Sequence, residues 1–420
     1  MLELLGYLFH DGYPAWLPDP WLLVSIILVS ATLYLIKVYS NGATNPMDAK
    51  MHGKVVMITG GTSGIGAAVT RGLAERGAQV CLLTRLPPSD TFLADYIGEL
   101  RKSTGNEMIY AEQVDLTDLY SVRKFATKWI DNAPPRRLDQ LILCAATLTP
   151  PGCKRQETEA GIEETWLVNY VSNFHLLGIL SPALRAQPID RDVRIIITTC
   201  ASYISSPFLS EELDEKKWTP GKAYARSKLA LMVFGQSFQK HLDAYKRPDG
   251  LPMNARVTFV DPGLSRSSGF LRWITRGTFW GLAIYMITYP LQWLLIKDSE
   301  RGAQAILYAA MEPSLGRGYG GKLIKDCMEV DFARKDVKDE AIAKKLWEST
   351  DKLIEKTEAD LAAIRILKKK QQEMDDEEKQ KAEKVADIEA LVSSIKKGKE
   401  AEKAKEGEKT KSRRRGKKAS

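Results

Sequence analysis

The sequence predicts an α/β fold, a doubly wound parallel sheet with an N-terminal membrane helix before it and a charged helical C-terminal extension after it. Three observations carry this reading. Val55 to Thr59 is a continuous apolar run, Gly60 to Gly66 a glycine-rich turn, Ala67 to Arg76 a helical pattern and Val80 to Thr84 a second apolar run, which together make a βαβ unit. The alternation continues through apolar runs at Met108 to Val114, Leu138 to Cys144 and Val193 to Thr199, and strands joined by crossover helices form a parallel sheet covered on both faces. Finally, 420 residues exceed one ordinary domain, and the net charge of +8 is concentrated late in the chain, so appendages flank the sheet. The expected division is 1–45, 46–356 and 357–420.

The first segment contains Trp21 to Tyr39, an apolar run close to the ~20 residues that a membrane helix needs, with aromatic residues at both ends. Glu3, Asp11 and Asp19 precede it where a cleaved signal peptide would carry basic residues, so it reads as an anchor. Lys37 near its end and Lys50 and Lys54 after it put the large domain in the cytosol, and the expected location is the endoplasmic reticulum or a lipid droplet. The five cysteines form no C-x-x-C pair, and an odd number leaves one unpaired, so a reducing compartment is the simpler reading. The four histidines lie far apart without zinc-ligand spacing, and no metal site is expected.

Within 46–356, further strands are expected at Ala255 to Val260, before Asp261–Pro262–Gly263, and at Gly321 to Lys325. Between them Thr278 to Ile296 is apolar enough to span a bilayer, but Pro290 interrupts it and Arg272, Arg276, Lys297 and Arg301 flank it. Spanning would also separate the last strand from its sheet. The segment is therefore expected to lie in the membrane interface, with a buried lid as the alternative. Beyond Val330, Ile342, Leu346, Leu353, Leu361, Ile364 and Leu367 form a broken apolar stripe, and Lys396 to Ser420 is too charged to bury a core. Such a basic tail suits anionic lipid or a protein partner; a nucleic-acid role is not expected.

The glycine turn holds the first site candidates. Gly60, Gly64 and Gly66 stand where side chains would block the turn, a pyrophosphate or the packing of helix on sheet, and the following helix offers N–H groups to an anion. Thr62, Ser63 and Ile65 complete this Rossmann-type dinucleotide seat. Ligands of doubly wound sheets bind at the carboxyl ends of the strands, which adds Arg85, Asp115, Cys144 to Ala146, Thr199 to Ser202 and Val260. Thr84 leaves no carboxylate for a ribose hydroxyl, whereas the guanidinium of Arg85 suits a phosphate dianion, so NADP(H) is the expected cofactor. Tyr224 and Lys228, four residues apart on one helix face, supply the chemistry. An ammonium beside a phenol favours the phenolate and makes tyrosine usable as a proton donor in hydride reduction of a carbonyl.

TGGTSGIG, Asp115–Leu116, Asn169 in LVNYVSNF, Tyr224-x-x-x-Lys228 and Asp261–Pro262–Gly263 together resemble the short-chain dehydrogenase/reductase family. YAAMEPSLGRGYGGKLIKDC and AKKLWESTDKL resemble its retinol dehydrogenase-like and WW-domain oxidoreductase-like branch, over about Lys54 to Ile354. The resemblance implies that Asn169 kinks a helix and holds the lysine through water, that Asp115 lies near the adenine, and that Ser267 lies near the carboxamide. It also implies a catalytic serine after the fifth strand, where this chain has Thr199 or Cys200; Ser202 is the nearest hydroxyl of the expected type and is favoured. Asn-Ala-Gly after the fourth strand is replaced by Cys144–Ala145–Ala146.

Two functions fit. One is a membrane-anchored NADP(H) oxidoreductase acting on a lipophilic carbonyl or alcohol of sterol, retinoid, polyprenyl or long-chain type. The other is a nucleotide-binding scaffold that recruits a partner through its tail and transfers little or no hydride.

Overall fold

The computed structural model describes residues 20–133, 136–209 and 217–372, with scattered positions as far as residue 388. The basic tail from Lys396 and the acidic residues before Pro20 lie outside the described residues. Two compact units divide between Ile354 and Glu355. In the second, residues 355–372 are helical.

The first unit holds one sheet of β1 (Val55–Thr59), β2 (Gln79–Thr84), β3 (Ile109–Gln113), β4 (Gln140–Leu143), β5 (Val193–Thr198), β6 (Ala255–Asp261), β7 (Lys322–Lys325) and β8 (Met328–Val330), in the order β3-β2-β1-β4-β5-β6-β7-β8. Every neighbouring pair is parallel except β7 with β8. The strands are near-continuous apolar runs because both faces are covered. Met57 and Leu141 face one core, while Val56, Ile58 and Ile142 face the other. Each buried aliphatic side chain contributes roughly 1.5–3 kcal/mol, so these two layers dominate the stability.

Helices α2 (Gly64–Glu75), α3 (Thr91–Thr104) and α9 (Ser299–Met311) fill one layer through Val69, Leu73, Leu100 and Ile306. On the other, α4 (Leu119–Ile130), α5 (Ser172–Arg185) and α6 (Pro220–Ala244) contribute Val122, Leu177 and Val233. A helix at 340–354 closes this second layer. Its Trp347 ring lies 5.2 Å from Phe174 and 5.4 Å from Phe234, and Thr350 shares a 2.8 Å hydrogen bond with Tyr170.

The expected strands are present, β1 with the expected bounds and the others with ends shifted by at most two residues, and β8 is additional. It follows a two-residue turn in which Asp326 and Cys327 both have positive φ, 48° and 58°, the backbone that a tight hairpin demands. Nothing in a Met-Glu-Val strand after an Asp-Cys turn announces a hairpin.

The two long apolar stretches form helices α1 (Pro20–Asn41) and α8 (Phe279–Leu295), the latter following the short α7 (Ser268–Thr275). Trp21–Asn41 is long and apolar enough to cross a membrane and buries nothing. Along α8, Phe279 (79% exposed), Trp280 (77%) and Ile287 (79%) face outward. The two helices meet: the Lys37 ammonium donates to the Trp293 carbonyl at 2.5 Å and lies 4.9 Å from the centre of its ring. A lysine at the end of an apolar helix is thereby held by the other apolar helix.

Candidate active site

The order of strands reverses at β1, which has β2 on one side and β4 on the other, so a crevice opens beyond the carboxyl ends of β1 and β4. The chain enters it through Gly60, whose φ is +69°, and turns at Gly64, whose φ is +56°. A Cβ on Gly60 would stand 2.8 Å from the Ala145 backbone, and one on Gly66 would stand 2.1 Å from the Gly60 carbonyl oxygen. No side chain fits at either place. Thr70 and Tyr96 donate to the Gly61 carbonyl at 3.2 and 3.0 Å and brace the turn from behind. Ser63, at the N-cap of α2, makes no side-chain capping bond, so the first turn of the helix keeps its N–H groups for an anion. Thr62 and Ile65 lie within the same turn, half-buried. These residues fit a dinucleotide.

Other candidates ring this seat. Ser267 approaches from the loop after β6, its Cβ 3.1 Å from where a Cβ on Gly64 would stand, and it caps α7 by accepting from Phe270 N–H at 3.3 Å. Arg85 follows β2 and is exposed, and no carboxylate pairs with it among the described residues. Asp115 accepts from the Thr117 N–H at 2.8 Å and hydroxyl at 2.7 Å, which fixes the turn after β3. Val260 is fully buried, and its carbonyl accepts from Thr199 N–H at 2.8 Å.

Tyr224 and Lys228 are carried by α6, which starts firmly: Thr219 accepts from Lys222 N–H, and Pro220 occupies the first turn where its missing N–H costs nothing. Lys228 is 3% exposed and donates to the Thr198 carbonyl at 3.1 Å, with its Nζ 5.6 Å from the centre of the Tyr224 ring. Burial lowers the pKa of Lys228. Burial and then the Cys200 thiol raise that of Tyr224 well above the ordinary phenol value. An ammonium beside a phenol favours the phenolate, whereas burial of the phenol and the neighbouring Cys200 thiol act the other way. The phenol is therefore held protonated, as a proton donor must be.

Asn169 is fully buried in a π-helical turn, Leu167–Val171, that leads into α5. Its Oδ1 accepts from Thr147 N–H at 2.8 Å, and its Nδ2 donates to the Thr147 carbonyl at 3.0 Å and to Ser227 Oγ at 3.1 Å. Ser227 in turn donates to the Tyr224 carbonyl at 2.8 Å. Asn169 is thus tied to the helix turn that carries Tyr224. Of the three residues after β5, Thr199 turns into the core and donates to Met232 Sδ at 3.0 Å, whereas Cys200 Sγ lies 3.8 Å from the Tyr224 hydroxyl and 2.8 Å from Ser202 Oγ.

Three residues were not singled out from sequence. Thr59 Oγ1 accepts from both Cys144 and Ala145 N–H at 3.1 Å and closes the crevice where Cys144–Ala145–Ala146 lacks an asparagine. Thr147 and Ser227 complete the Asn169 network. Thr59 opens TGGTSGIG and Ser227 lies inside the Tyr224-x-x-x-Lys228 spacing, but neither motif states these roles, which arise from contacts between distant segments.

The short chain dehydrogenase family profile matches residues 54–268, and the chain belongs to that family, whose members use a nicotinamide cofactor. It is 41% identical to the uncharacterized oxidoreductase pbr1 of Schizosaccharomyces pombe over 345 residues, 81% of this chain and 92% of that protein. Human retinol dehydrogenase 13 is 29% identical over 330 residues, 78% of this chain and 92% of its own length. Mouse polyprenol dehydrogenase is 31% identical over 299 residues, 70% and 82% of the two chains. A solved structure of an uncharacterized protein from Mycobacterium paratuberculosis shares the fold, with a TM-score of 0.52 and 23% identity, covering 75% of this chain and 98% of that one. The relatives place the chain on the retinol dehydrogenase-like branch.

Proposed function

We propose that the protein is a membrane-anchored, NADP(H)-dependent oxidoreductase that moves a hydride between the nicotinamide and the carbonyl or hydroxyl carbon of a lipophilic substrate. The observation that carries this is the convergence of Tyr224, Lys228 and Asn169 beside the glycine cradle. The nicotinamide would supply or accept the hydride. Gly60, Gly64, Gly66 and the first turn of α2 would hold the pyrophosphate, with Asp115, Val260 and Ser267 lining the rest. Arg85, exposed and facing no carboxylate, supports the choice of NADP(H), since its guanidinium is available to a 2′-phosphate.

In the reducing direction Tyr224 gives its proton to the carbonyl oxygen as the carbon gains the hydride, leaving an alcohol and a phenolate. Lys228 stabilises that phenolate, and Asn169 and Ser227 keep the helix turn in register. A second donor beside Tyr224 comes from the Cys200–Ser202 pair. Two things support a lipophilic substrate: the exposed apolar faces of α1 and α8, and relatives named for retinol and polyprenol. Lys50 and Lys54, following α1, support a domain facing the cytosol, and the membrane proposed for it is that of the endoplasmic reticulum or a lipid droplet.

The scaffold alternative draws on Cys144–Ala145–Ala146, but Thr59 bonds both N–H groups there and the crevice stays formed. The test is NADPH oxidation by the full chain in nanodiscs against a panel of lipid aldehydes and ketones. Tyr224→Phe should bind NADPH as the wild type does while losing ~10²–10⁴-fold in turnover. Unchanged turnover would remove Tyr224 from the chemistry, and NADPH binding without any turnover by the wild type would favour the scaffold.

A further inference from the structure

The favoured hydroxyl after β5 is Ser202, yet the side chain that hydrogen-bonds the Tyr224 hydroxyl is a thiol. Thr199 bonds backbone to backbone with Val260 and sends its side chain to Met232 under α6. Successive side chains of an extended segment point to opposite faces, so Cys200 emerges on the side of Tyr224. Its Sγ stands 3.8 Å from the Tyr224 hydroxyl. Ser202 sits one turn on, in the 3₁₀ segment Ala201–Ser205, and its hydroxyl lies 2.8 Å from that sulfur. The segment is tied down at its far end: Tyr203 OH accepts from Ala333 N–H at 2.9 Å, and Arg334 donates to the Ser206 carbonyl.

We infer that Cys200 gives the second hydrogen bond to the reacting oxygen beside Tyr224, and that Ser202 is a positioning residue that holds and polarises the thiol. The inference rests on the oxidoreductase reading of Tyr224 and deepens it. An oxygen within hydrogen-bond reach of the phenol can also reach a sulfur 3.8 Å from that phenol. A lone thiol is a weak donor. The 2.8 Å contact between Cys200 and Ser202 admits either group as donor; with Ser202 O–H donating to the sulfur, S–H donates onward, and in such a chain each bond strengthens the next. No covalent bond forms at the thiol, and the reaction's proton still comes from Tyr224.

The experiment is single-turnover hydride transfer by the full chain in nanodiscs, with NADPH affinity measured in parallel to exclude misfolding. Cys200→Ala should lose about 10²-fold in rate, the low end for removing a donor to developing charge. Cys200→Ser should stay within about fivefold of wild type, since a hydroxyl replaces the thiol as donor. Ser202→Ala should lose about tenfold in kcat with KM unchanged, and Cys200→Ala/Ser202→Ala should be no slower than Cys200→Ala, because a residue acting only through the thiol has nothing left to act on. Alkylation by N-ethylmaleimide, located at Cys200 by peptide mass spectrometry, should abolish turnover in the wild type but leave Cys200→Ser active. Wild-type rates in Cys200→Ala beside a large loss in Ser202→Ala would make Ser202 the direct donor and overturn the inference, as would additive losses in the double variant. A wild type that binds NADPH but transfers no hydride would overturn the oxidoreductase reading itself.

Discussion

Replacing Asn169 by alanine removes three hydrogen bonds at once, and the structure says what each loss costs. Thr147 N–H loses its acceptor at 2.8 Å, the Thr147 carbonyl loses its donor at 3.0 Å, and Ser227 Oγ loses a donor at 3.1 Å while keeping its own bond to the Tyr224 carbonyl. A buried polar group left without a partner costs about 1–3 kcal/mol. Thr147 is half-buried, so water recovers part of this, and the low end of about 1 kcal/mol for each of its two groups is the fair figure. Adding the space vacated in a fully buried site brings the total to about 2–3 kcal/mol. Asn169→Asp keeps the acceptor for Thr147 N–H but sets a second oxygen against the Thr147 carbonyl, so it should be no milder than alanine. Urea unfolding followed by tryptophan fluorescence measures the loss, and single-turnover kinetics should fall with it because the α6 turn carrying Tyr224 loses a brace. A stability change below about 0.5 kcal/mol for Asn169→Ala would show that the network is not what holds this crevice together.

Arg85→Ala should weaken NADPH about ten- to a hundredfold, the equivalent of ~1.5–3 kcal/mol for one charge-assisted contact, and leave NADH nearly unchanged; equal losses in a titration of both cofactors would refute the assignment. His175 is buried, and burial followed by the charge of Arg123 lowers its pKa from 6.5 to about 4. The folded state thus resists protonation that the unfolded chain accepts, so the contribution of His175 to stability is complete above pH 6.5 and declines by about 3 kcal/mol as pH falls to 4. His175→Gln should flatten the denaturation midpoint over that window, and an unchanged pH slope would show that other groups set it.

The strands were legible because central parallel strands are continuous apolar runs, a pattern independent of what they pair with. The glycine turn was legible for a related reason: positive φ at Gly60 and Gly64 and the 2.1 Å approach at Gly66 admit only glycine, so the requirement is written in the residues themselves. Tyr224 and Lys228 followed from helical spacing. By contrast, Thr199, Cys200 and Ser202 could not be separated, since which one faces the crevice depends on where β5 ends and on Met232 being there to receive Thr199. Spacing shows that a lysine stands near Tyr224 but not how deeply the phenol is buried, and burial raises its pKa. The pairing of α1 with α8 was invisible too: two apolar runs some 240 residues apart carry no mark of mutual contact beyond one lysine and one tryptophan.

That pairing connects the two apolar helices to the crevice. Helices α7 and α8 leave the main fold after β6 and return before α9, and their two ends are stapled by a parallel bridge between Ser265 and Lys297. Arg266 N–H donates to the Lys297 carbonyl at 2.7 Å, and Lys297 N–H donates to the Leu264 carbonyl at 3.2 Å. The Lys297 ammonium is ion-paired with Asp326 in the β7–β8 turn, and its side chain is only 12% exposed. Ser267, which reaches the glycine cradle, lies two residues beyond the staple. Lys297 thus links the end of α8 to the loop whose Ser267 meets the glycine turn. Lys297→Ala keeps the backbone staple and removes the ion pair, so NADPH affinity should fall about fivefold, equivalent to ~1 kcal/mol, through loss of order in the loop rather than loss of a contact. Titrating NADPH into the variant measures this directly, with hydrogen exchange at 264–268 as the second readout. Weakened binding with unchanged exchange would place Lys297 in direct contact with the cofactor, and unchanged binding would show that α8 and the crevice move independently.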